Sequence, residues 1–143
     1  MKRCLADVNI LLALLVQHHD HHVAARKWFD GLEAGEAGLC RMVQLAIIRL
    51  LGNSSIMADH AISAAAAWVL LEELLLDERI DFTEEPPLFD SVFPALLKYR
   101  GPTGKLVGDA YLAAFAMASS RSVVTLDGGF RQFKGLDLEL LNG

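Results

Sequence analysis

Along the chain, short hydrophobic runs alternate with longer stretches of helical period. Arg3 to Ala6 is a short, mostly apolar run that closes on Asp-Val-Asn, and it predicts a buried strand carrying Asp7 at its carboxyl end. Asn9 then opens a helix over Ile10 to Gln17, so Asp7 stands at a strand-to-helix junction. A second helix is predicted from about His21 to Leu32, where Val23, Lys27 and Asp30 interleave with Ala24, Ala25, Trp28 and Phe29. Leu39 to Arg41 is a candidate second strand, followed by a helix over Met42 to Leu51 that Gly52-Asn53 stops. Ser63 to Leu76 predicts an Ala/Leu-rich helix, Arg79 to Thr83 a short strand, and Phe89 to Tyr99 a helix despite Pro94. The turn-rich loop Arg100 to Lys105 leads into a strong helix over Val107 to Ser119. Ser122 to Leu126 is the clearest strand by β-branched content, and Leu136 to Leu141 alternates apolar and acidic residues as an edge strand does. Strands separated by helices predict a single α/β domain over residues 1–143 with a mainly parallel central sheet.

Composition narrows the partners. The chain has 143 residues, 53% of them hydrophobic, enough for one substantial core. Thirteen Lys and Arg against eighteen Asp and Glu leave a net charge of −5, which argues against broad electrostatic binding of nucleic acid. Cys4 and Cys40 sit in apolar surroundings and read as two buried thiols of a reducing compartment. Uncharged runs such as Ala61 to Leu71 fall short of the ~18–20 residues that span a bilayer. The opening MKRCLADVN leaves no room for a signal-peptide apolar segment, so the expected location is cytoplasmic.

Most acidic residues fall on helix faces or in turns, where a solvated charge is the ordinary reading. Asp7 and Asp127 are placed differently, each directly after a short apolar strand, and Asp109 lies in the first turn of a helix rich in Ala and aromatic residues. In open α/β sheets ligands bind at the carboxyl ends of strands. Carboxylates gathered there would repel one another and lose solvation, an arrangement that a hard divalent cation such as Mg²⁺ or Mn²⁺ relieves. Helix capping by Asp109, turn formation by Asp127-Gly128-Gly129 and isolated surface charge are the competing readings.

The segments LADVNILLALL, LCRMVQLAIIRLLGN, GDAYLAAFAMA and VVTLDGGFRQF carry a resemblance to PIN-domain proteins, most closely to VapC-type toxins of bacterial toxin–antitoxin pairs. Their order and separations match the family over nearly the whole chain. The resemblance implies a PIN-like three-layer α/β/α fold and a Mg²⁺- or Mn²⁺-dependent endoribonuclease that cleaves RNA phosphodiester bonds. It assigns catalytic roles to Asp7, Asp109 and Asp127, with Asp7 and Asp109 as metal ligands. Asn9 and Thr125 match polar positions that orient the carboxylates and their waters. It further implies a cognate antitoxin protein and a homodimer.

One position departs from the family. Its second acidic residue, usually Glu, falls on Gln44, which keeps a carbonyl oxygen and amide donors but no charge. The alternative function follows from this residue: a catalytically weakened PIN-fold binding module that engages an antitoxin. A haloacid-dehalogenase-like phosphatase also places an aspartate after strand one, but it requires Asp or Thr where this chain has Asn9. Four imidazoles among His18, His19, His21 and His22 cannot converge on one ion without special backbone, and they read as a polar lead into a helix. Arg41, Arg49, Lys98, Arg100, Lys105 and Arg131 are the cations available to phosphates, and each reads more simply as scattered surface charge. The missing charge at position 44 generates a prediction: Gln44→Glu tightens Mn²⁺ binding, and a titration in which the Glu variant binds equally or more weakly refutes it.

Overall fold

The computed structural model describes residues 1–142. Five short strands form a wholly parallel sheet: β1 (Cys4–Ala6), β2 (Ala37–Leu39), β3 (Ile80–Phe82), β4 (Ser122–Thr125) and β5 (Leu138–Leu140), in the order β3-β2-β1-β4-β5. Each of β1, β2 and β4 is buried at every position, as expected of strands covered on both faces. The helices are α1 (Val8–Leu15), α2 (His22–Asp30), α3 (Arg41–Leu51), α4 (Ser54–Met57), α5 (Ala64–Leu74), α6 (Phe89–Arg100) and α7 (Leu106–Ala118). Helix α1 packs on α2, α3 and β4, and α3 on α5, whereas α6 and α7 pack together and α7 covers β4 and β1. The result is the three-layer α/β/α arrangement, with β5 on the sheet edge as its alternating pattern predicts.

Helix ends follow local chemistry. The Ser63 hydroxyl accepts from Ala66 N–H at 3.1 Å and starts α5, and α6 runs through Pro94 to stop at Gly101, whose φ of 58° is left-handed. Gly52 ends α3, but Asn53 belongs to the next element: its side chain accepts from Ser55 N–H at 2.9 Å and caps α4, a helix the sequence pattern does not predict.

Two corrections concern β2. It occupies Ala37–Leu39 rather than Leu39 to Arg41, and Arg41 is the first residue of α3. Ala-Gly-Leu has little intrinsic strand preference, and its pairing with β1 and β3 on both sides overrides that. Gly38 is demanded by close approach, because a Cβ there would lie 2.7 Å from the Thr83 hydroxyl and 2.9 Å from the Arg121 guanidinium. Arg121 itself is buried and donates to the Cys4 carbonyl at 3.0 Å, tying the start of β4 to β1.

Leu5, Ile10, Leu11, Leu39, Ile47 and Phe115 are fully enclosed, and Cys4 and Cys40 lie in the same core as free thiols. Phe115 joins Phe89, Phe93 and Tyr111 in an aromatic cluster between α6 and α7, with ring centroids 4.9–6.2 Å apart. Among the described residues no single helix is long and apolar enough to cross a membrane. Because Phe115 has no exposed edge through which the site could refill, Phe115→Ala should lower the unfolding free energy by about 3–5 kcal/mol in urea titration.

Candidate functional site

The register of the central strands assembles the site. Ala6 of β1 pairs with Val124 of β4, and the next amide, Asp7 N–H, donates to the Val124 carbonyl at 3.0 Å. Asp7 and Thr125 are thereby set side by side at the carboxyl edge of the sheet. The Thr125 hydroxyl donates to Asp7 Oδ2 at 2.6 Å, and Asp7 Oδ1 accepts from Val8 N–H at 2.7 Å, so the carboxylate also caps α1. Thr125 in turn accepts from Asp127 N–H at 3.0 Å and from Asn9 Nδ2 at 3.2 Å. Asn9 Oδ1 accepts from Leu126 N–H at 3.1 Å, closing a network across β1, α1 and the end of β4. Thr125 thus bonds the Asp7 carboxylate directly, and Asn9 bonds Thr125 and the Leu126 backbone.

Burial and mutual repulsion set the electrostatics. Asp7, 7% exposed, has its pKa raised by burial above all and by the charge of Asp127, against the pull of the Thr125 and Val8 hydrogen bonds. Asp109, in the first turn of α7, is pushed up to about 6 by burial first and then by the charges of Asp7 and Asp127, with Lys105 opposing. Asp7 and Asp109 therefore both sense the charge of Asp127, and Asp109 senses that of Asp7 as well. Asp127 is the most exposed of the three, and its Oδ1 accepts from Gly129 N–H at 2.8 Å, so the turn reading of Asp-Gly-Gly holds as well. Among the described residues no three His, Cys, Asp or Glu side chains are grouped closely enough to surround one ion. Asp7 and Asp109, both held toward the protonated form by burial first and by neighbouring carboxylate charge second, do suit an ion that retains most of its waters.

Gln44 is buried at 2% exposure in the first turn of α3, at the same sheet edge, and its Oε1 accepts from Arg41 Nη1 at 2.6 Å. A glutamate there would meet the same guanidinium, so part of its charge would go to that pair and the gain in metal affinity would be reduced. The Arg41 guanidinium lies over the Phe82 ring at 4.7 Å and the Trp68 ring at 5.8 Å, a stack assembled from α3, β3 and α5 that nothing in the local sequence announces. Tyr111 donates to Glu85 at 2.6 Å beside it. The histidine segment leads into α2 as expected, with the His18 ring against that of His60, centroids 4.6 Å apart and planes tilted by 37°. Phe29 belongs to the core and Trp28 packs against it, whereas Trp68 is exposed.

The raised pKa of Asp109 has a defined sign. A carboxyl that holds its proton more tightly folded than unfolded adds stability at low pH and loses it as pH rises through the folded value, here from about 4 to about 6. In EDTA, the wild type should lose thermal stability between about pH 5 and pH 7.5 relative to Asp109→Asn, whose melting temperature should be the higher at the upper pH; parallel melting curves for the two proteins would refute this.

A PIN domain model matches residues 4–136. Ribonuclease VapC41 of Mycobacterium tuberculosis is 36% identical over 142 residues, spanning 96% of this chain and 97% of that protein. Ribonuclease VapC29 of the same species is 34% identical over 132 residues, spanning 92% and 90%. Among solved structures, DNA-bound VapBC from Salmonella typhimurium superposes with a TM-score of 0.70 at 17% identity, covering 97% of this chain and 98% of that one. VapC20 of Mycobacterium tuberculosis, a sarcin-ricin loop cleaving toxin, superposes with a TM-score of 0.66 at 16% identity, covering 97% and 99%. At those identities the solved structures speak for the fold, and the family model and the curated relatives speak for kinship. The carboxyl-edge aspartates, the parallel five-stranded sheet and these matches together place the chain in the PIN-domain family, alongside its VapC ribonucleases.

Proposed function

We propose that this protein is the toxin of a toxin–antitoxin pair and hydrolyses RNA phosphodiester bonds with the help of Mg²⁺ or Mn²⁺. The observation that carries the reading is the Asp7–Thr125–Asn9 network beside a raised-pKa Asp109, at the sheet edge where α/β enzymes bind their ligands. Asp7 and Asp109 are the residues that would hold the cation, which when bound supplies charge neutralisation and a water of lowered pKa. The chain's own contribution is orientation. Thr125 gives its single hydroxyl proton to Asp7 Oδ2, leaving Oδ1 shared with the Val8 amide, and so fixes the plane of the carboxylate. Asn9 holds Thr125 and the Leu126 amide together, which keeps the β1 and β4 ends from separating. Asp127, close enough to raise both other pKa values, is the third acid of the site and the one best exposed to accept a proton from water.

A protein partner is part of the reading. The curated relatives are named as VapC ribonucleases, several solved neighbours are VapBC structures, and this chain exposes Leu45, Trp68, Val69 and Leu76 on α3, on α5 and just after it. An antitoxin helix and a second copy of the chain are the expected occupants of such apolar surface. A binding module without catalysis is the second reading, and the neutral Gln44 bound to Arg41 is the feature that favours it.

Cleavage of RNA with Mn²⁺ separates the two. Asp7→Asn and Asp109→Asn should each abolish cleavage while leaving the circular dichroism spectrum and cooperative melting intact, because removing buried like charge does not unfold the domain. Activity retained in both variants would refute the assignments, and an inactive wild type would favour the binding module.

A further inference from the structure

A second concavity opens at the same sheet edge, above the carboxyl ends of β2 and β3. It encloses about 420 Å³, within the range of small-ligand sites, and Arg41, Phe82, Thr83, Glu85 and Tyr111 line it. Tyr111 stands two residues after Asp109 on α7, and β2 is the neighbour of β1, so the pocket and the acidic site share a helix and an edge. They lie about two strand spacings apart, roughly 10 Å.

The Arg41 side chain is exposed yet fixed. One nitrogen donates to buried Gln44, and the guanidinium rests on Phe82 and Trp68, both partly open to solvent at 37% and 39%. Among the described residues Arg41 forms no ion pair, although carboxylates line the same pocket. A planar cation held in advance loses little freedom when a second plane stacks on it. RNA-binding proteins stack unpaired bases on aromatic rings and on arginine planes in this manner. Glu84 and Glu85 disfavour a phosphate in this pocket, whereas a carboxylate is a good acceptor for a base's amino group. Glu85 is oriented by the Tyr111 hydroxyl at 2.6 Å. With a net charge of −5 and scattered cations, stacking is also the source of RNA affinity most accessible to this chain.

We propose that this pocket is a nucleobase subsite, in which Arg41, backed by Phe82 and Trp68, stacks a base of the RNA next to the cleaved bond and Glu85 accepts from its amino edge. The proposal rests on the ribonuclease reading. It assigns the subsite a preference for amino-bearing bases over uracil, and it gives Gln44 a positioning role through Arg41.

The test uses the full chain with Trp28→Phe, which leaves Trp68 as the single tryptophan. Oligo(A), oligo(C) and oligo(U) of roughly five nucleotides are titrated in EDTA at low salt, following Trp68 fluorescence and anisotropy of labelled RNA. Oligo(A) and oligo(C) should quench Trp68 and bind several-fold more tightly than oligo(U). Arg41→Ala and Arg41→Lys should both weaken oligo(A) binding by about tenfold, and Glu85→Gln should erase the preference over oligo(U). Should the Arg41 variants fail to fold, Phe82→Leu, which removes the ring beneath the guanidinium, carries the same expectation. Full affinity in Arg41→Lys would overturn the proposal by showing a simple charge contact. Binding unchanged in every variant would overturn it too, and would hand the surface to a protein partner. Metal-stimulated cleavage of RNA by the same wild-type protein, measured in parallel, keeps the two readings apart: cleavage without base effects sinks the subsite alone, and base effects without cleavage overturn the ribonuclease reading and with it the placement of the base beside a cleaved bond.

Discussion

The hydrogen bond from Thr125 to Asp7 depends on a strand register, and much of the molecule serves that register. Ala6 must face Val124 for the two side chains beyond them to meet, and a slip of one residue would turn Thr125 to the other face of the sheet. Burial of β1 and β4 on both faces fixes the pairing, and the guanidinium of Arg121 clamps its opposite end by reaching across to the Cys4 carbonyl. Gly38 exists to let Arg121 pass. A cation at the amino end of the sheet thus secures the geometry of anions at the carboxyl end.

The acidity of the chain looks different once its placement is known. Part of the net charge of −5 sits where it is uncomfortable, in a group of three aspartates of which Asp7 and Asp109 hold their protons more tightly than usual. Setting those three aside leaves thirteen cationic side chains against fifteen anionic ones, a nearly balanced surface. Contacts with RNA would then be local rather than long-range, which favours stacking and a metal-bridged phosphate over a basic track.

Much of the fold was legible because it is written in local pattern. The alternation of apolar runs and helical periods locates β1, β3, β4, β5 and the major helices to within a few residues, and the positions of Asp7 and Asp127 at strand ends follow directly. Strand β2 was displaced because Ala-Gly-Leu pairs for tertiary reasons, with a glycine selected by an arginine from a distant strand. Helix α4 went unseen because four residues cannot display a helical period. The aspartates were readable one at a time, but the Arg41 stack joins residues from α3, β3 and α5, and Glu85 reaches Tyr111 across 26 positions. Such contacts are encoded by topology, which no window along the chain displays.

The two core thiols carry a practical meaning. Cys4 and Cys40 are almost fully enclosed, and burial pushes their pKa values up, Cys4 to about 12, so neither presents a thiolate to solvent in the folded state. One lies in β1, whose end bears Asp7, and the other directly precedes α3, whose first turn bears Gln44. Alkylation of either is therefore a clock for opening of the segment that carries the site, and an added surface cysteine can be labelled without removing the native pair.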